Sequence, residues 1–131
     1  MSVKIVSQAS TPAVDLPGRK LQWIADCRTM GSEQLSIAIM TCPAKSIVRP
    51  MHSHKDVEEI ILILSGEGEA WVDGEVGPFK EGDAVLFPAN SKHQVRNTGQ
   101  TDLITASIFA SSDAPASYVM YEEDAFEGKS V

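Results

Sequence analysis

The sequence predicts an all-β chain closed into one barrel of the jelly-roll type, and three observations carry that prediction. From Leu21 onward apolar residues recur at short intervals with no sustained helical periodicity. Turn residues break them every several positions, at Met30-Gly31, Ser65-Gly66, Asp73-Gly74, Glu81-Gly82, Pro88 to Asn90 and Asn97 to Gly99. The length, 131 residues with 43% apolar and 22% charged, is that of one ordinary domain with a core of its own. Closure into a barrel is how such a sheet avoids sticky edges.

Taken in order, residues 1 to 20, with Pro12, Pro17 and Gly18, read as an N-terminal arm. Residues 21 to 110 form the barrel. Its expected strands are Leu21 to Cys27, Leu35 to Thr41, Ser46 to His52, Glu59 to Leu64, Glu69 to Val72, Ala84 to Phe87, His93 to Asn97 and Leu103 to Ala110. Residues 111 to 131 are a C-terminal tail, either a short helix or a segment laid across the barrel, with Tyr118, Tyr121 and Phe126 among five acids. No segment repeats at a fixed period, which excludes solenoids.

A net charge of -7 repels phosphate backbones and anionic headgroups, so neither nucleic acid nor a membrane surface is an expected partner. The longest apolar run, Ile60 to Leu64, is far short of the roughly 20 residues a membrane helix needs. The first twenty residues carry no continuous apolar stretch of the secretory kind, so a cytoplasmic protein is expected. Cys27 and Cys42 are then expected as reduced, buried thiols.

Chemistry concentrates in two short stretches. In His52-Ser53-His54 the two imidazoles stand two residues apart on a strand, hence on one face, where both can grip the same ion. Beyond a short turn Glu59 opens the next strand and turns its carboxylate to the same interior, with Ile61 and Ile63 continuing that face and Glu58 facing out. The second stretch runs from Gly82-Asp83 through the turn Pro88-Ala89-Asn90 to His93 and Asn97, and the turn is expected to send His93 back beside the preceding strand. Three imidazoles and one carboxylate suit a divalent first-row metal, iron, manganese, nickel or zinc, and leave two positions open on an octahedral ion. All three histidines of the chain fall in this set.

These residues resemble the two motifs of the cupins, G-x5-H-x-H-x3,4-E-x6-G and G-x5-P-x-G-x2-H-x3-N. His52, His54, Glu59 and Gly66 fit the first, and the six-residue spacing to Gly66 selects Glu59 over Glu58. Gly82, Pro88, His93 and Asn97 fit the second, with fifteen residues between the motifs. Ser46 and Asn90 stand where the motifs have glycine, and asparagine tolerates the left-handed backbone that the second position needs. The resemblance implies a double-stranded β-helix, a metal held by His52, His54, Glu59 and His93, and a homodimer, for which Trp71 and the N-terminal arm are the expected contacts.

It also implies a range of activities, since cupins include dioxygenases, decarboxylases, isomerases, lyases and non-catalytic sugar or effector binders. The reading taken first is a metal-dependent enzyme acting on a small oxygenated compound, with dioxygenase-type cleavage of a dicarbonyl or enediol-like substrate. The alternatives are an isomerase or lyase using the metal as Lewis acid, and a small-molecule binding module without turnover. The expected interior around Ile61, Ile63, Val72, Val95 and Ile108 is apolar and holds no basic residue, which disfavours phosphorylated sugars. Tyr118 and Tyr121 are expected to pack against the body, Arg49 and Lys45 to be solvated, and Gly66 to Glu69 to form a turn, since no helix follows it.

Overall fold

The computed structural model describes residues 2 to 128 and contains eleven strands and two short 3-10 turns. The strands are β1 (Val14–Leu16), β2 (Arg19–Ala25), β3 (Ser36–Cys42), β4 (His52–His54), β5 (Glu59–Ser65), β6 (Glu67–Val72), β7 (Glu75–Lys80), β8 (Ala84–Phe87), β9 (His93–Asn97), β10 (Leu103–Phe109) and β11 (Tyr118–Met120). They form two antiparallel sheets, ordered β1-β2-β3-β10-β5-β8 and β11-β4-β9-β6-β7. The core lies between them.

Alternation decides which side chains enter. On β5 Glu59, Ile61 and Ile63 are buried while Ile60, Leu62 and Leu64 face out. On β10 the inward set is Leu103, Thr105, Ser107 and Phe109. Ile108, expected inside, is 36% exposed, because the polar Thr105 and Ser107 share parity with Phe109 and take the interior. The outward residues form a row across four strands, Ile37 opposite Ile108, Ile108 opposite Ile60, and Ile60 opposite Leu86, all exposed.

Three strands arise where none was expected. Val14–Leu16 of the arm pairs with β2, Glu75–Lys80 pairs with β6 around the Asp73-Gly74 turn, and Tyr118–Met120 of the tail pairs with β4. Conversely, the stretch from Ser46 is no strand until His52: Ile47 makes one isolated bridge to Arg96, and Val48 donates to Val95 O. The turn at Pro88 to Asn90 also behaves differently from the expectation. It carries the chain from β8 in one sheet to β9 in the other, so His93 pairs with His52 and Val72 rather than with the preceding strand. Asn90 sits there at φ 68, and its side chain accepts from the Asp56 backbone amide at 2.9 Å.

Two buried side chains tie the barrel ends. Asn97 donates through Nδ2 toward the carbonyls of Cys42, Pro43 and Thr101 and accepts from Gly99 N at 2.8 Å. Gln94 donates to Val48 O and to Asp124 and accepts from Ala125 N, which draws the tail onto β9. Phe126 seals that contact, almost fully buried beneath the guanidinium of Arg96. Of the two thiols Cys42 is buried and Cys27 is exposed, contrary to the expectation for it, because Cys27 lies in the loop after β2.

Candidate metal centre

The site is assembled from both sheets and from the tail. His52 and His54 lie on β4, His93 faces His52 across the β4–β9 pair, and Glu59 enters from β5 on the opposite sheet. All four are buried, and the ligating nitrogens of the three histidines lie within 4.8 Å of one another. Glu59 Oε1 stands 3.2 Å from His54 Nε2 and 3.4 Å from His93 Nε2.

The other face of each ring is pinned. His52 Nδ1 meets Pro50 O at 2.9 Å and His93 Nδ1 meets Ser91 O at 3.1 Å, and a carbonyl can only accept, so both nitrogens carry the proton. His54 Nδ1 lies 3.0 Å from Ser117 Oγ, whose own hydrogen goes to Ala114 O at 2.6 Å, so this nitrogen donates too. With Nδ1 holding the outer hydrogen bond, Nε2 is the atom each ring turns to the centre, and a ring in its Nδ1-protonated neutral tautomer offers a bare lone pair there, as metal-binding histidines do. His54 Nε2, His93 Nε2 and Glu59 Oε1 are buried and have no hydrogen-bond partner among the described residues. Unpaired buried acceptors converging on one point call for a cation between them, and this donor set fits a divalent first-row metal.

Electrostatics agree with that fit. Burial, reinforced by the proximity of His93, lowers the His52 pKa to about 3, so the ring is neutral at physiological pH. Burial alone would raise the Glu59 pKa; only positive charge at the facing His54 and His93 nitrogens outweighs that and brings it to about 2, a charge that a cation between them supplies where those nitrogens are bare.

Aromatic rings clamp the imidazoles. Phe87 stacks on His93 with centroids 4.1 Å apart, and Tyr118 meets His54 edge-on at 4.4 Å. Tyr118 comes from β11, registered opposite His54, so the tail strand is part of the site. Burial, with the Glu59 charge nearby, raises its phenol pKa and keeps the proton on it. Tyr121 packs against the body as expected, its hydroxyl 2.9 Å from Ser53 Oγ.

Beside the histidines lies a cavity of about 40 Å³ walled by Trp23, Ile61, Phe87, Phe109, Tyr118 and Arg19, among others. Arg19 corrects the expectation of an interior without basic residues. The Pro17-Gly18 turn feeds it inward, and only glycine fits there: at φ +79 a Cβ would lie 1.9 Å from Ile47 O. The sequence signal was present in that Pro-Gly pair, but nothing in the pattern distinguished Arg19 from the exposed Lys20 beside it. Arg49, expected to be solvated, is exposed but bound to Asp124 of the tail at 2.6 Å. Lys45 donates to Thr98 O at 2.7 Å.

Comparison with known proteins agrees with this architecture. An oxalate-binding protein of Thermotoga maritima is 40% identical over 53 residues, covering 40% of this chain and 44% of that one. Auxin-binding protein 1 of Arabidopsis thaliana is 28% identical over 116 residues, 82% of this chain and 57% of the relative. The chain spans about half the length of the curated relatives it matches. Among solved structures, the formate complex of Lactobacillus farciminis oxalate decarboxylase superposes with a TM-score of 0.77 at 19% identity, covering 86% of this chain and 34% of the other, a likeness of fold. The family model described as Cupin domain matches residues 38–109, more than half of the sequence and all four candidate ligands, and the chain belongs to that family.

Proposed function

We propose that this chain is a metal-dependent cupin enzyme acting on a compact oxygenated organic compound, with the metal held by His52, His54, His93 and Glu59. The observation that carries the reading is the pinned tautomer of all three imidazoles, whose free nitrogens meet the Glu59 carboxylate in a buried site beside a small cavity. When bound, a divalent metal supplies Lewis acidity toward a hydroxyl, carbonyl or carboxylate oxygen. The chain's own residues do the rest: Phe87, Phe109 and Trp23 exclude bulk water, and a cavity of about 40 Å³ admits a compact ligand rather than a sugar chain. The oxalate-binding relative supports a small ligand of this kind.

Dioxygenase-type cleavage remains the first reaction class, on the donor set. The isomerase or lyase reading gains one specific observation, for Tyr118, expected from sequence to pack against the body, stands on the cavity wall and is able to hold or move a proton there. Elemental analysis of chelator-free protein, followed by His52→Ala and His93→Ala, tests the centre: the native protein retains one metal and both variants lose it. A native protein that takes up neither iron, manganese, nickel nor zinc refutes the proposal. Oxygen uptake and ultraviolet absorbance over diketones, hydroxy acids and uronates then divide the classes, since only a dioxygenase falls silent without oxygen. Binding without turnover would identify a binding module.

The homodimer implied by resemblance would pair through the row Ile37, Ile108, Ile60 and Leu86, which is exposed and carries no charge. Trp71, the contact expected from sequence, is half-buried on the other sheet.

A further inference from the structure

Arg19 is a buried cation without an anion. Only 6% exposed, it makes two hydrogen bonds, both from Nη1 to neutral carbonyls, Pro17 O at 3.1 Å and Arg49 O at 2.5 Å. The chain's other three arginines all hold carboxylates: Arg28 holds Asp113, Arg49 holds Asp124 and Arg96 holds Glu69. Arg19, more buried than any of them, forms no ion pair among the described residues.

A buried guanidinium is costly unless paired. Glu59 shares the cavity wall, yet it lies beyond ion-pair distance and its Oε1 is turned to His54 and His93. Nη1 has two hydrogens and both are used, which leaves the Nε and Nη2 hydrogens as an unspent fork of the shape that grips a carboxylate in two parallel bonds. The same cavity wall presents Arg19, Tyr118, His52, Glu59 and His93.

We infer that Arg19 selects the ligand: its free N–H edge binds one carboxylate of a small organic acid, whose remaining oxygens face the histidine cluster across a cavity of about 40 Å³. The substrate class is therefore a short carboxylate, of the size of a two- or three-carbon acid, and neutral compounds of the same shape are rejected because they leave the guanidinium unpaired. The inference rests on the reading of this cavity as the ligand site.

The test uses the full chain loaded with manganese(II), oxalate as probe and neutral oxamide as its isostere, with affinities from calorimetry and metal content measured on the same samples. The quantity read is the preference for oxalate over oxamide. In Arg19→Met it is expected to fall ~10- to 100-fold, the worth of a charge-assisted pair. Metal content and the oxamide affinity are expected to stay as in the parent, which a merely structural role of Arg19 would not allow. Arg19→Lys keeps the charge without the fork and is expected to lose less. It carries the test if the methionine variant does not fold. An unchanged preference in a folded variant, or an equal loss for oxalate and oxamide, overturns the assignment. A preference that depends on Arg19 in protein that retains no metal would sustain this inference while refuting the metal centre, so the two fail separately.

Discussion

Ser117→Ala isolates the support behind one candidate ligand, His54. Ser117 is 9% exposed, accepts from His54 Nδ1 at 3.0 Å and passes its own hydrogen to Ala114 O at 2.6 Å. Alanine removes both bonds at nearly constant volume, so the ring is no longer held with Nδ1 protonated and Nε2 aimed inward. Losing such an outer partner weakens metal binding about 10- to 100-fold, or about 1.4 to 2.7 kcal/mol. The lost bond to Ala114 O costs a further ~1 kcal/mol of folding stability. Zinc competition against a chromophoric chelator reads the first quantity and urea unfolding of metal-free protein the second. Long-range proton–nitrogen correlation of the imidazoles reads the tautomer directly, with Nδ1 protonated in all three rings of the parent and exchange at His54 in the variant. Parental zinc affinity in a variant with scrambled His54 tautomers would refute the argument that the outer hydrogen bonds prepare the site.

Other outcomes follow from single contacts. Gly18→Ala sets a Cβ 1.9 Å from Ile47 O at φ +79, and a loss of about 3 kcal/mol is expected; thermal unfolding within a degree of the parent would contradict it. Phe126→Ala empties a fully buried ring site under Arg96 and is expected to cost about 3 to 5 kcal/mol, with faster hydrogen exchange along β11 as the local sign of a released tail. The Asp124 pKa is lowered on balance, since burial, which raises it, is outweighed by the bonds from Arg49, Phe126 and Gln94. Its contribution to tail docking is therefore present above the unfolded value near ~3.9 and lost as pH falls through the lower folded one. Exchange at Phe126 should thus rise in that acid window in the parent and be raised already at neutral pH in Asp124→Asn. Ile108→Glu puts a charge in the middle of the exposed row and is expected to yield monomers by sedimentation, whereas a parent that is itself monomeric removes that face as an interface.

The sequence by itself determined the fold class and brought the four candidate ligands to notice, because both depend on short-range pattern. Period-two burial on β5 carries Glu59, Ile61 and Ile63 inward, and a spacing of two residues puts His52 and His54 on one face wherever β4 sits. Alternation misleads on β10, where the more apolar set, Ile104, Ala106 and Ile108, faces out while Thr105 and Ser107 share the interior with Leu103 and Phe109. Which strands meet depends on long-range pairing: the turn at Pro88 to Asn90 changes sheets, and β4 finds β9 and the tail only in three dimensions. The hydrogen bonds that choose the imidazole tautomer come from Pro50, Ser91 and Ser117, of which Ser117 lies 63 residues from its partner. Arg19 was hidden for the same reason. A charged residue after a Pro-Gly turn reads as solvated until the approach of Ile47 shows that the turn is pressed against the barrel and the side chain has nowhere to go but in.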